Sequence, residues 1–133
     1  MMATLEKVWR LYARTPRLPR QLASIARDAF GGGWELTHDV VTGALPEDGR
    51  DTLRLQLRGG AAYAITATCD EDCSDIDLEL VDPYGIVISR DSRSDDTPVV
   101  TARPSVDGSS VVRVIMVTCD REPCRYAVGV FGQ

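Results

Sequence analysis

Residues 74–85, which read SDIDLELVDPYG, constrain the fold most, because apolar and acidic residues alternate there and then give way to a turn sequence. In a β-strand the alternation places apolar side chains on one face and acidic ones on the other, namely Ile76, Leu78 and Leu80 against Asp77 and Glu79. Residues 82–85 suit a type I turn, because the aspartate accepts backbone hydrogen bonds, the proline presets φ and the glycine closes the turn. The segment therefore predicts a β-hairpin with one buried side.

Period-two patterns recur throughout the chain from residue 34 onward, with turn signals between them. We predict strands over residues 35–41, 52–57, 62–68, 75–81, 86–90, 99–103, 110–118 and 125–131. Short strands that follow one another without intervening helices are typical of an antiparallel sandwich or barrel. We therefore expect a mainly β protein, an antiparallel sandwich or barrel of about eight strands.

Residues 1–33 follow a different pattern, in which apolar residues recur at helical spacing and three glycines close the segment. Residues 1–30 hold six basic and two acidic residues, whereas residues 31–133 hold nine basic and eighteen acidic ones. We expect a basic amphipathic helical segment and glycine hinge over residues 1–33, followed by a β-sandwich domain over residues 34–133. The helices would pack on the body or on a partner chain, or lie on an anionic membrane surface.

The charge distribution and hydropathy also exclude some functions. An acidic body argues against nucleic acid as a partner, because phosphate binding relies on Lys and Arg. No apolar run approaches the roughly 20 residues that a transmembrane helix needs. Basic side chains interrupt every apolar run near the N-terminus, so these residues do not read as a signal peptide.

Four cysteines fall as two close pairs, Cys69 with Cys73 and Cys119 with Cys124, in what we interpret as polar hairpin loops. An even number of cysteines in such loops favours disulfides and an oxidising compartment. Pairing within each loop is our choice, although three connectivities are possible. Zinc coordination and free thiols are the alternatives, and structural zinc usually prefers two residues between paired cysteines rather than the three and four seen here.

Acidic residues concentrate around the first cysteine loop and the strand after it, and four of them are candidate calcium ligands: Asp70, Asp72, Asp75 and Asp77. Calcium prefers hard oxygen ligands, and like charges on one strand face repel unless a cation or solvent screens them. The stretch lacks the glycine and the terminal glutamate of an EF-hand loop. A solvated acidic face is therefore the alternative to a calcium site.

Catalysis has little support in the sequence. His38 is the only histidine, and no G-x-S-x-G motif supplies a nucleophile, so we interpret His38 as a surface or interface residue. A redox role for the cysteines is disfavoured, because the acids around both pairs would raise a thiol pKa. A small hydrolase or redox protein is the remaining alternative. For a binding module, we expect Tyr84, Tyr126 or the cysteine loops to form an exposed patch.

Several short segments between residues 40 and 131 occur in a characteristic order: Gly43-Ala44-Leu45, residues 51–55 (DTLRL), 60–65 (GAAYAI), 75–80 (DIDLEL), the turn at 82–85, Asp107-Gly108 before residues 110–114, and residues 126–130 (YAVGV). In these segments and their order the chain resembles the bacterial pre-peptidase C-terminal domain, a small β-sandwich that accompanies secreted proteases, and the resemblance implies a jelly-roll-like antiparallel β-sandwich of about eight strands. The resemblance implies a non-catalytic role, either in adhesion to protein or polysaccharide or in secretion and maturation of a neighbouring enzyme. Some related modules use calcium for stability.

Together these observations predict a non-catalytic accessory or binding module of an exported bacterial protein, periplasmic or secreted. A calcium-stabilised structural module is the alternative. The expected partner is a protein, a polysaccharide or a neighbouring enzyme, and no cofactor is expected unless calcium binds.

Overall fold

The computed structural model describes Gln21, Leu22, Ser24, Gly31 and residues 33–133, and the described part is mainly β. Within these residues nine strands follow one another: β1 Glu35–Leu36, β2 Val41–Leu45, β3 Arg50–Leu57, β4 Tyr63–Cys69, β5 Cys73–Val81, β6 Val87–Asp91, β7 Val99–Ala102, β8 Gly108–Cys119 and β9 Cys124–Gly132.

The strands form two antiparallel sheets packed face to face. The first has the order β2-β9-β4-β7, with β1 pairing beside β2 on the same edge of β9, and the second has the order β3-β8-β5-β6. These two orders define a jelly roll, in which strands 2 to 9 form two interlocked Greek keys. The predicted fold class is confirmed.

The predicted first strand over residues 35–41 is instead divided between β1 and β2. The Thr37 amide still donates to the Val130 carbonyl of β9 at 2.9 Å, the chain then leaves the sheet over residues 38–40, and it returns at Val41 opposite Val128. The Gly43-Ala44-Leu45 segment, which the sequence does not mark as a strand, is therefore part of β2.

The alternating pattern of β5 buries its apolar side chains in the core, as predicted. Ile76, Leu78 and Leu80 are completely buried, and they face inward residues of the other sheet such as Ile65 and Val128. At about 25 cal/mol per Å² of buried apolar surface, this layer between the sheets is the dominant favourable term in folding. The loops at the two ends of the sandwich are therefore held on a rigid scaffold.

The first sheet is buried on its outer face as well, since every residue of β4 is buried. Gln21, Leu22 and Ser24 are helical, and Leu22 lies on this face against Val40 and Ala127. The Thr68 hydroxyl donates to the Gln21 side-chain oxygen at 2.8 Å. The chain before the glycines thus contacts the sandwich, whereas the remaining predicted helical residues lie outside the described part.

Side chains close both open sides of the sandwich. On one side, the Asp91 carboxylate accepts from the Val99 amide at 2.9 Å and the Ser89 hydroxyl accepts from the Thr101 amide at 3.2 Å, which joins β6 to β7 without a backbone ladder. On the other side, His38 Nε2 lies 2.8 Å from the Gln56 carbonyl, to which it must donate. Such cover protects edge strands from pairing with other chains.

Candidate binding site

The β5–β6 hairpin tip projects Tyr84 into solvent on a fixed turn. The Gly85 amide donates to the Asp82 carbonyl at 3.0 Å, and Asp82 Oδ1 accepts from the amides of Tyr84 and Ile86, each at 2.9 Å. Gly85 has a φ of 86°, a conformation that glycine adopts without strain. The turn therefore has the predicted chemistry, with aspartate as the acceptor and glycine at its close.

The loop between β7 and β8 packs closely against this hairpin and against the β3–β4 turn. A side chain at Gly59 would lie 2.6 Å from the Val106 Cα, and one at Gly108 would lie 3.0 Å from the Pro83 ring. The Gly59 amide donates to Asp107 Oδ1 at 2.8 Å. The two glycines thus allow three loops that are distant in sequence to meet at one end of the sandwich.

An open cleft of about 720 Å³ lies between these loops, over the seam where β6 meets β7. Its rim carries Tyr84, Ile88 and Val106, which are 84%, 47% and 63% exposed, and Ile86 and Val87 lie beside it on the same hairpin. Monomeric domains seldom expose several large apolar side chains together, and such patches commonly mark binding surfaces. We take the cleft as the candidate site and refer to it as the Tyr84 cleft.

Sequence reasoning found only part of this cleft. Tyr84 is exposed as expected, but Ile88 and Val106 were not singled out. Val106 lies in the β7–β8 loop, four residues after Ala102, the last residue of β7. This loop has no alternating pattern, so only the position of one apolar residue among polar neighbours could have identified Val106 in the sequence.

Tyr126 does not contribute to a binding surface, contrary to expectation. It is only 1% exposed, and its ring covers Gly43, where an added Cβ would lie 2.5 Å from the phenol oxygen. The hydroxyl donates to Asp51 Oδ2 at 2.5 Å. Burial and this hydrogen bond raise the pKa of Tyr126 above its ordinary range, which fits a structural role.

All four cysteines lie at the opposite end of the sandwich. Cys69 and Cys73, and Cys119 and Cys124, are at disulfide distance, with sulfurs 2.11 Å apart in each pair. Cys73 and Cys119 are also register partners across β5 and β8. The cysteines do not occupy polar hairpin loops as predicted: they are buried at strand ends, and each loop connects one sheet to the other.

Asp75 and Asp77 of β5 lie near Asp91, the last residue of β6, and Asp95 of the β6–β7 loop rather than near the acids of the first cysteine loop. Asp75 Oδ1 and Asp77 Oδ1 are buried without a hydrogen-bond partner among the described residues. Burial and the nearby carboxylates of Asp75, Asp91 and Asp95 raise the pKa of Asp77 to about 6. The cluster therefore disfavours a negative charge on Asp77.

Other acids of the region have partners that satisfy them. Burial acts to raise the pKa of Asp91, but hydrogen bonds from the Arg93 side chain and from the Val99 and Arg93 amides outweigh it and lower that pKa. Asp70, a predicted calcium ligand, instead accepts from the Asp72 amide at 3.2 Å and the Arg125 amide at 2.8 Å.

Only some of these acidic side chains offer oxygens that a calcium ion could use. Buried carboxylate oxygens without partners are suitable donors for a hard cation. Within the described ranges, however, no three His, Cys, Asp or Glu side chains converge as a metal site. Asp70, Asp72, Asp75 and Asp77 therefore remain predicted ligands only.

His38 makes its contacts with other residues of the fold. Its Nδ1 lies 2.8 Å from the Thr37 hydroxyl oxygen, and its ring meets Tyr63 edge-on with centroids 6.3 Å apart. Together with the Gln56 carbonyl, these contacts hold the imidazole between the two sheets.

For the part of the chain described, no helix has the length and apolar character needed to cross a bilayer.

No protein-family model and no curated protein matches the chain. Among solved structures, it is similar to the pre-peptidase C-terminal domain of a Bacillus anthracis collagenase, with a TM-score of 0.50 and 13% identity over 71% of this chain and 88% of that one. It is equally similar to PliG of Aeromonas hydrophila, a periplasmic inhibitor of g-type lysozyme, with a TM-score of 0.50 and 15% identity over 79% of this chain and 90% of that one. The likeness to the pre-peptidase C-terminal domain that the sequence predicts is thus confirmed for the fold.

Proposed function

We propose that this protein is a non-catalytic binding or accessory module of an exported bacterial protein and that the Tyr84 cleft holds a protein ligand. The supporting observation is the group of exposed apolar side chains around a preformed cleft. Because hydrogen bonds fix the hairpin tip and the β7–β8 loop, binding there orders little additional chain, which lowers its entropic cost.

The kind of exposed side chain favours a protein over a polysaccharide. Tyr84 is the one aromatic ring among the large exposed apolar side chains of the described residues, since the other two rings of the cleft are the half-buried Trp34 and the buried Tyr63. The remaining exposed apolar side chains are branched aliphatics, Ile88 and Val106 on the cleft and Ile86 and Val87 next to Ile88 in the chain. Aliphatic side chains pack against apolar side chains of a partner, whereas sugars are held mainly by aromatic faces and hydrogen bonds. Adhesion to a protein, or support of a neighbouring enzyme, is therefore preferred to polysaccharide adhesion.

An oxidising location is the second part of the proposal. Disulfides persist in the periplasm and outside the cell and are rare in the cytosol. The two cysteine pairs at bonding distance support a periplasmic or secreted protein.

Selection from a displayed library of random peptides tests the cleft directly. We expect enriched peptides to bind the full chain and to lose about tenfold or more in affinity with Tyr84→Ser/Val106→Ser, since central apolar contacts dominate interface energies. Arg121→Ser, at the disulfide end, is the matched control and should bind normally. Cellohexaose and chitohexaose are titrated in parallel to test for a polysaccharide ligand. If either sugar bound in a way that depends on Tyr84 and no peptide bound, the ligand would be a polysaccharide and not a protein.

A calcium-stabilised module is the second candidate, favoured by the two buried oxygens without partners on Asp75 and Asp77. A cation selective for the native state would raise the melting temperature. Unchanged melting in millimolar calcium chloride, compared with chelator, would rule out this candidate.

A further inference from the structure

The Tyr84 cleft presents carboxylates beside its exposed apolar side chains. Its charged side chains are Asp82, Arg103 and Asp107, two acidic and one basic. Asp82 stands two residues before Tyr84, and Asp107 directly follows Val106. Tyr84 and Val106, the exposed apolar residues of the two facing loops, therefore each have a carboxylate close by in sequence.

Both carboxylates retain an oxygen that can receive a partner. The side chains of Asp82 and Asp107 accept hydrogen bonds through Oδ1, from the amides of Tyr84, Ile86 and Gly59. Within the described residues no hydrogen bond or ion pair engages Oδ2 of either residue. These backbone bonds fix the position of each carboxylate and leave its charge in place.

Tyr84 adds a second feature that suits a cation. Its ring is 84% exposed, and an arginine or lysine head placed over the face of a tyrosine is attracted by the ring quadrupole. The long stems of the same side chains pack on apolar surface while their heads remain in water. Ile88 and Val106 offer that surface on the cleft rim.

The charge of the whole domain acts in the same direction. Residues 31–133 carry nine basic and eighteen acidic residues, so their field attracts cationic partners. Arg103 is the opposing feature, because this residue also lines the cleft and its positive charge disfavours a cation there.

We propose that the Tyr84 cleft recognises a basic apolar polypeptide segment, one that carries lysine or arginine beside aliphatic or aromatic residues. This inference rests on the proposed function of the cleft as a protein-binding site and specifies the class of partner. Two charge variants make it testable, because they change affinity in opposite directions.

The probe is the strongest peptide from the random library, labelled with a fluorophore and titrated with the full chain by anisotropy. We expect it to contain lysine or arginine beside apolar residues. Asp107→Asn, which keeps the Oδ1 acceptor for Gly59, should weaken binding about two- to fivefold, as for one exposed charge pair, and Arg103→Gln should strengthen it by a similar factor. Added salt should weaken binding.

Matched controls remove the same charges elsewhere. Asp96→Asn and Arg121→Gln alter exposed residues outside the cleft and should leave affinity unchanged, and melting curves verify that every variant folds.

The outcomes separate this inference from the proposed function. Acidic peptides that bind more weakly to Arg103→Gln would overturn the inference and preserve the cleft as a protein site. Peptides that need Tyr84 but respond to neither charge variant would also overturn it. If no selected peptide depended on Tyr84, the proposed function itself would be wrong.

Discussion

A single carboxylate, that of Asp77, determines part of the pH dependence of stability. Its pKa of about 6 in the folded protein exceeds the ordinary value of 3.8, because burial and neighbouring acids disfavour the charge. The native state therefore binds the proton more tightly than the unfolded state does. This contribution to stability is complete below about pH 3.8 and is lost as the pH rises through 6.

We expect Asp77→Asn to raise the free energy of unfolding at pH 7 by on the order of 1 kcal/mol, a figure that allows for partial solvent exposure. The advantage over the wild-type chain should diminish as the pH falls from 7 to 4, and urea titrations across that range measure it. Asp96→Asn, on an exposed residue of the neighbouring loop, should show a much smaller effect. A destabilised Asp77→Asn at pH 7 would contradict the prediction.

Single residues show where sequence reasoning succeeds. Alternation marked Asp75 and Asp77 as neighbours on one strand face, but Asp91 and Asp95 come from another element and no local pattern links them. Tyr84 follows a proline in a turn, which predicts exposure. Tyr126 lies in β9, whose residues are apolar on both faces, so periodicity cannot distinguish its buried side.

At the scale of elements, the β5–β6 hairpin depends on one side chain at its turn. Asp82 Oδ1 accepts two backbone amides, so Asp82→Ala leaves both without that partner. We expect a loss of about 1–2 kcal/mol in the free energy of unfolding, somewhat less than two full hydrogen bonds because water reaches the turn. Chemical denaturation provides the measurement.

Asp82→Asn is the matched variant for this turn, because it keeps the accepting oxygen while removing the charge. It should retain most of the stability that Asp82→Ala loses. Equal losses in the two variants would show that charge rather than hydrogen bonding holds the turn.

The predicted strands largely match the structure because each has its own alternation and its own turn. β1 and β2 are the exception. Residues 35–41 keep an apparently continuous pattern, yet after Thr37, which still bonds with Val130 of β9, His38 leaves the ladder to bond with Gln56, which is distant in sequence. Contacts between residues that are distant in the chain leave no pattern in the local sequence, so the sequence could not predict them.

At the scale of the whole molecule, the sequence predicts a sandwich but not the order of its strands, since periodicity alone does not choose among sandwich topologies. The jelly-roll order explains why the two cysteine loops meet at one end and the Tyr84 cleft forms at the other. β8 begins at Gly108 beside the cleft and ends at Cys119. Both ends of the sandwich are therefore connected by the same central strand.

The two disulfides close loops with sequence separations of 4 and 5, so each constrains the unfolded chain only modestly. We expect Cys69→Ser/Cys73→Ser to keep the sandwich and to lose about 2 kcal/mol in the free energy of unfolding, the chain-entropy value for so short a loop. The large core between the sheets makes the fold independent of either bond. Urea unfolding and far-UV circular dichroism measure the two effects.

Intact mass with thiol counting on non-reduced protein tests the cystines themselves. No free thiol should be found before reduction and four after it, and chelation should change neither result, because thiols joined in disulfides cannot bind zinc. Four free thiols in the native protein, or zinc released on denaturation, would contradict both cystines. That outcome would also remove the main support for an oxidising compartment, since buried reduced cysteines at strand ends are compatible with the cytosol.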